Sequence, residues 1–189
     1  TLTALAALAA GAAPALAHTG LPGHGHGSLA AGLMHPVSGL DHLLAMLSVG
    51  LWSALVAKGD GWKLWLAPAA FVTAMLAGAA AGVAGLPLPL VETGIAASVV
   101  VLGLMVMTRI ELPAVAGAGL VALFALFHGH AHGAEAVGNI GAYMAGFALV
   151  TAALHVAGMA LGRALATAES AAKVAGGLIA AAGVYLMGA

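Results

Sequence analysis

Two short stretches of this chain hold residues whose types and spacing could do chemistry. The first is His35-Pro36-Val37-Ser38-Gly39-Leu40-Asp41-His42-Leu43, the second Phe127-His128-Gly129-His130-Ala131-His132-Gly133-Ala134-Glu135. Each sets imidazoles and a carboxylate beside long runs of hydrocarbon. Imidazole nitrogen with carboxylate oxygen is a donor set for a borderline divalent cation such as Ni2+, Cu2+ or Zn2+. A charged group with no partner costs about 3 kcal/mol at the centre of a membrane helix, so something must recover that cost.

Every one of these residues also has a plainer reading. Ser38-x-x-Asp41 fits a capping box, in which the carboxylate serves the start of a helix. Pro36 disfavours helix at His35, so the chain is expected to turn there and to fold His35 back over Asp41 and His42. His42 is either a ligand or a hydrogen-bonded structural histidine. His128 and His132, four apart, share a face if a helix runs through them. Gly129 and Gly133 argue instead for a bent backbone or a solvated, His-rich loop. Glu135 and Glu92 are candidate ligands, or acidic residues favoured by the dipole at a helix start. His155 sits deep in an apolar run, where an ionisable residue marks a transport path or bonds to a neighbouring helix. His18, His24 and His26 lie in a Gly-rich amino-terminal stretch that would raise the local metal concentration, and His130 completes the alternating histidine triplet.

The elements that must position these residues follow from composition. Of 189 residues, 63% are hydrophobic and only 6% charged, against roughly a quarter charged in a soluble domain. The charges are confined to short gaps between apolar runs of about twenty residues, the length that crosses a bilayer as helix. The fold class is therefore an all-α integral membrane protein. Six spans are read at 38–57, 62–83, 90–107, 114–128, 137–161 and 171–187, the fourth being short. The 28 glycines suit close helix approach, as in the pairs Gly78 with Gly82 and Gly158 with Gly162. A net charge of −1 with no basic tract argues against nucleic acid as a partner. The lack of cysteine removes disulfides and thiolate metal sites. No phosphate-binding Gly-rich loop with Lys is present, so neither an organic cofactor nor an ATP-driven module is read.

Residues 1–17 form a small-residue apolar run ending Ala15-Leu16-Ala17, the pattern of a secretory signal peptide, or else an uncleaved leader helix. Residues 18–34 read as a His/Gly-rich periplasmic segment with a short helix leading into the membrane, and 35–189 as the six-helix transmembrane domain. Lys58, Lys63, Arg109, Arg163 and Lys173 all fall in the first, third and fifth gaps. The positive-inside rule makes that side cytoplasmic and both mature termini periplasmic. Eight of the nine histidines then gather at the outer face. His155 lies roughly 12 Å above the inner boundary at 1.5 Å per residue.

The run His35-Pro36…Gly39-Leu40-Asp41-His42-Leu43-Leu44-Ala45-Met46, followed by Val49-Gly50-Leu51-Trp52, resembles the opening signature of the HupE/UreJ family. The second histidine stretch and Leu154-His155…Gly158 are similar to its other marked positions, and the similarity extends from about His18 to the carboxyl end. The resemblance implies a multi-pass permease of the bacterial inner membrane, not an enzyme, that takes up Ni2+ or in some members Co2+ for hydrogenase or urease maturation. It gives His35, Asp41, His42, His128, His132 and Glu135 the role of metal recognition. Two rival readings stand beside it. The His128-x3-His132 spacing would suit a membrane-bound, metal-dependent oxidase or hydroxylase, and the outer-face clusters would suit a metal-binding partner that transports nothing.

Overall fold

A computed structural model describes residues 27–136 and 138–188. His18, His24, His26 and the signal-peptide reading of residues 1–17 lie outside the described residues. Seven helices follow in order: α1 (Gly27–Ser38), α2 (Leu40–Ala57), α3 (Gly61–Val83), α4 (Val91–Thr108), α5 (Ala114–Glu135), α6 (Ile140–Ala164) and α7 (Glu169–Gly188). No strand occurs among the described residues. Helices α2 to α7 have 18 to 25 residues each and are apolar enough to cross a membrane. Hydrocarbon offers backbone groups no partners, so each crossing segment must bond to itself as a helix. This is a multi-pass membrane protein.

Turn chemistry fixes where the spans stop. Lys58 and Gly59 take positive φ, 49° and 86°, and end α2. The Asp60 carboxylate then accepts from the backbone N–H groups of Trp62 at 3.0 Å and Lys63 at 3.4 Å, capping α3. Asn139 does the same for α6 through the Ala142 N–H at 3.0 Å.

The closest helix pairs are α3 with α5, α4 with α7, α2 with α6, and α1 with α6; α2 also touches α1, α3, α4 and α7 and is the most enclosed span. Glycines make these approaches close. A Cβ on Gly78 would strike the Leu126 carbonyl of α5, and one on Gly158 the Leu47 carbonyl of α2. The contacts expected of Gly78, Gly82, Gly158 and Gly162 are present. Between the helices lie Met46, Val49, Phe71, Met75, Val99, Val121 and Phe147, all fully buried. Leu76, Leu104, Leu123, Leu149 and Leu178 point outward as the lipid-facing surface.

The two ends of the bundle differ in charge. At one end Lys58 pairs with Glu111 at 2.6 Å, and Lys173 with Glu169 at 2.6 Å. Arg109 there donates to the carbonyls of Leu165 at 2.8 Å and Ala166 at 3.1 Å, satisfying acceptors at the carboxyl end of α6. The histidine motifs occupy the opposite end.

Three local expectations fail. The fourth span runs on to Glu135 instead of stopping at residue 128, so the second motif is helix and not loop. Each glycine costs about 1 kcal/mol in a helix relative to Ala, yet a Cβ at Gly129 or Gly133 would strike the carbonyl of Met75 or Ala79 on α3. The chain does not turn at His35 either: α1 continues through Pro36 to Ser38, and the break comes at Gly39. The Ser38–Asp41 capping box is absent, because the Ser38 hydroxyl donates to the His35 carbonyl at 2.9 Å and Asp41 turns to His42.

Candidate functional site

Four histidines from three helices meet at one end of the bundle. His35 comes from the last turn of α1, His42 from the first turn of α2, and His128 and His132 from the last two turns of α5. The His42 ring centre lies 4.6 Å from that of His128 and 4.4 Å from that of His132. His35 sits 4.4 Å from His132 and 6.0 Å from His42. All four contacts are edge to face. The helical run through the second motif explains its spacing. His128 and His132 share one face and turn to the cluster, while Gly129 and Gly133, one residue on, share the next face and let α3 close in.

The rings of His42, His128 and His132 are each held by one nitrogen. The Asp41 carboxylate accepts from His42 Nδ1 at 2.7 Å and from the His42 backbone N–H at 2.7 Å. Gly39 leaves room for that pairing, since a Cβ there would come within 2.8 Å of Asp41 Oδ1. The Ser98 hydroxyl of α4 donates to the Ile95 carbonyl at 2.6 Å, so toward His128 Nε2, 2.9 Å away, it accepts. His128 thus carries its proton on Nε2 and its lone pair on Nδ1. His132 Nδ1 lies 3.3 Å from the Tyr143 hydroxyl of α6. The other nitrogens, His42 Nε2, His128 Nδ1 and His132 Nε2, are buried and have no hydrogen-bond partner among the described residues.

For His42 and His128 that division of labour is what a metal-binding imidazole needs: one nitrogen donates to an orienting group and the other presents its lone pair. Left unpaired, each such buried atom costs about 1–3 kcal/mol. Among the described residues, no three His, Asp or Glu side chains already converge as a metal-binding group. The rings are close, but their nitrogens do not yet point at one spot.

His130 donates Nε2–H to the Leu86 carbonyl at 2.7 Å and ties α5 to the loop before α4. Glu92 is exposed in the first turn of α4, and Glu135 is exposed at the end of α5. His155 is buried deeper, on α6, its ring 5.1 Å from that of Phe71.

A family model describing the "HupE / UreJ protein" matches residues 5–186. The chain belongs to the HupE/UreJ family. That family is one of membrane transporters and not of enzymes, which removes the oxidase or hydroxylase reading. A curated relative, Protein HupE of Rhizobium leguminosarum bv. viciae, is 44% identical over 184 residues, covering 95% of this chain and 94% of the relative. No solved structure matches.

Within this HupE/UreJ chain, sequence reasoning missed the groups that orient the rings. Ser98 and Tyr143 are polar groups inside spanning helices, a signal that could have marked them. Phe147, with its ring centre 3.8 Å from that of His132, and Phe71, 5.8 Å from His128, carry no polar atom and gave no such signal.

Proposed function

We propose that the protein takes up Ni2+, with Co2+ as a second substrate, from the periplasm to the cytoplasm across the inner membrane. The positive-inside rule orients the basic end inward, so the histidine end and both mature termini face the periplasm. His42, His128 and His132 supply nitrogen donors, His35 joins them from α1, and Asp41 acts by orienting His42. Glu135 and Glu92, exposed at the same end, draw the cation toward the rings, with His18, His24 and His26 concentrating it ahead of them. His130 ties the outer end of α5 in place. The observation that carries this reading is the set of three buried imidazoles, each oriented through one nitrogen with the other left unpaired.

The ring spacing suits an ion of this kind. Two imidazoles at right angles on one cation, with metal–nitrogen distances of about 2.1 Å, have ring centres about 4.6 Å apart. His42 stands 4.6 Å from His128 and 4.4 Å from His132. Binding then requires the rings to rotate more than to separate. Entry into a negative interior supplies about 4.6 kcal/mol per 100 mV for a doubly charged ion, enough to sustain a large gradient without ATP.

Uptake of radioactive nickel into proteoliposomes tests the proposal. Purified protein should give time-dependent entry that a negative interior accelerates, and His42→Ala should lower the rate by about tenfold or more. Nickel bound at the surface with no entry over time would leave a metal-binding partner and not a permease.

A further inference from the structure

Beneath the histidine cluster, the same seam of the bundle holds polar and soft atoms that the cluster does not use. Tyr143, Phe147, Thr151, His155 and Met159 recur every four residues along α6 and are all buried, so they form one stripe down the helix. Tyr143 and Phe147 meet His132. One turn further, the Thr151 hydroxyl lies 3.3 Å from Met46 Sδ and 3.6 Å from Met75 Sδ. The next turn brings His155, which is 1% exposed. Neither of its ring nitrogens has a hydrogen-bond partner among the described residues.

Phe71 touches both levels. Its ring centre is 5.8 Å from that of His128 and 5.1 Å from that of His155. Past His155, Met159 joins Ala57 and Leu64 in a buried apolar cluster. Ala57 and Leu64 also line a cavity of about 480 Å³ at the basic end, together with Lys58, Asp60 and Arg163. From outside inward the seam therefore runs histidine cluster, Phe71, His155, apolar closure, inner cavity.

A histidine kept for packing would be expected to bond at least one nitrogen, as His42, His128, His130 and His132 do. His155 bonds neither. We propose that His155 is a second metal station, set apart from the outer cluster by the Phe71 ring, with the Thr151 hydroxyl and the Met46 and Met75 thioethers lining the step between the two. The inference rests on the transport reading and deepens it. Imidazole with neutral hydroxyl and thioether donors, and no carboxylate, holds a divalent cation more loosely than the Asp41-backed cluster. Conduction needs such a site, one from which the ion can leave.

The chain has no cysteine, so His155→Cys in the full-length protein introduces a single thiol. A thiolate is a strong ligand for Co2+, and its charge-transfer absorption reports direct contact with the ion. Titration with Co2+ should raise that absorption in His155→Cys and leave it absent in His155→Ala. In a second arm, His155→Leu replaces the ring with an apolar group of similar size. A packing role would leave nickel uptake intact. A metal station requires uptake to fall by about tenfold or more while the melting temperature holds or rises. No charge-transfer band from a folded His155→Cys protein, or uptake at the wild-type rate by His155→Leu, would overturn the inference alone. Failure of the wild-type protein to move nickel would take the transport reading down with it.

Discussion

The α3–α5 and α4–α7 interfaces are built alike, on glycines whose missing Cβ atoms let two backbones touch. Gly129 and Gly133 of α5 lie on the carbonyls of Met75 and Ala79, while Gly176 and Gly183 of α7 lie on the backbones of Met107 and Val100. What differs is the residue beside each glycine. On α5 it is a histidine, His128 or His132, and on α7 it is alanine, Ala175 or Ala182. Consecutive residues stand about 100° apart around a helix, so pinning the glycine face to a neighbouring backbone also pins the face next to it. On α5 that adjacent face carries two imidazoles, whose depth and direction are set by packing. On α7 the same packing fixes methyl groups and yields only stability.

Gly129→Val puts the contrast at greatest risk. The added carbons would collide with the Met75 carbonyl, which cannot swing aside as a side chain could. Overpacking a core costs about 1–3 kcal/mol, and a backbone obstacle places this case at the upper end. α5 must withdraw from α3 and take His128 with it, away from Ser98. Nickel uptake should fall to the level of empty liposomes, with a lower melting temperature. A variant that stayed folded and moved nickel at the wild-type rate would show that ring position does not depend on the α3–α5 contact.

The same pairing of histidine with glycine marks how far the sequence could be read. The six spans were legible because runs of about twenty apolar residues have one backbone solution in lipid, and their observed limits depart from the reading chiefly at α5. There Gly129 and Gly133 look like helix breakers when weighed by propensity alone. Their purpose belongs to α3, some fifty residues away in sequence, and no local pattern reports it. Of the six residues that the family resemblance assigned to metal recognition, His35, Asp41, His42, His128 and His132 gather, and Glu135 follows three residues after His132, exposed at the end of α5. Asp41 was legible as a carboxylate near His42, but its duty as an orienting acceptor depends on Gly39 breaking the chain where Pro36 had seemed to. Ser98 and Tyr143 could have been marked as polar groups inside apolar spans, but which ring each one orients could not, since each acts only through a histidine on another helix.

Ser98→Ala gives the next largest effect and separates orientation from packing. The side chain is fully buried, and its loss frees His128 to turn or change tautomer while removing a single oxygen. A hydrogen-bond partner that orients a metal-binding ring is worth about 10–100-fold in metal affinity or activity. The KM for nickel uptake should rise by about that factor, with the helical content unchanged and the maximal rate affected less. An unchanged KM would mean that the Ser98 bond is incidental and that the His128 lone pair is not the one offered to the ion.

Gly183→Ala is the mirror of these changes and the smallest in its effect on the site. A Cβ there would stand 2.6 Å from Val100 N and 2.8 Å from Val100 Cγ2, so α7 must back away from α4 at a cost of about 1–3 kcal/mol. The melting temperature should drop. Nickel affinity, measured calorimetrically on the purified protein, should hold within about twofold, as expected of positions that share no partner. The connection that could defeat this expectation runs through α4 itself, because Ser98 and Val100 are two residues apart on the helix that α7 supports. If Gly183→Ala weakened nickel binding as much as Ser98→Ala does, α7 would be holding Ser98 against His128, and the glycines of the two interfaces would serve one site and not two separate ends.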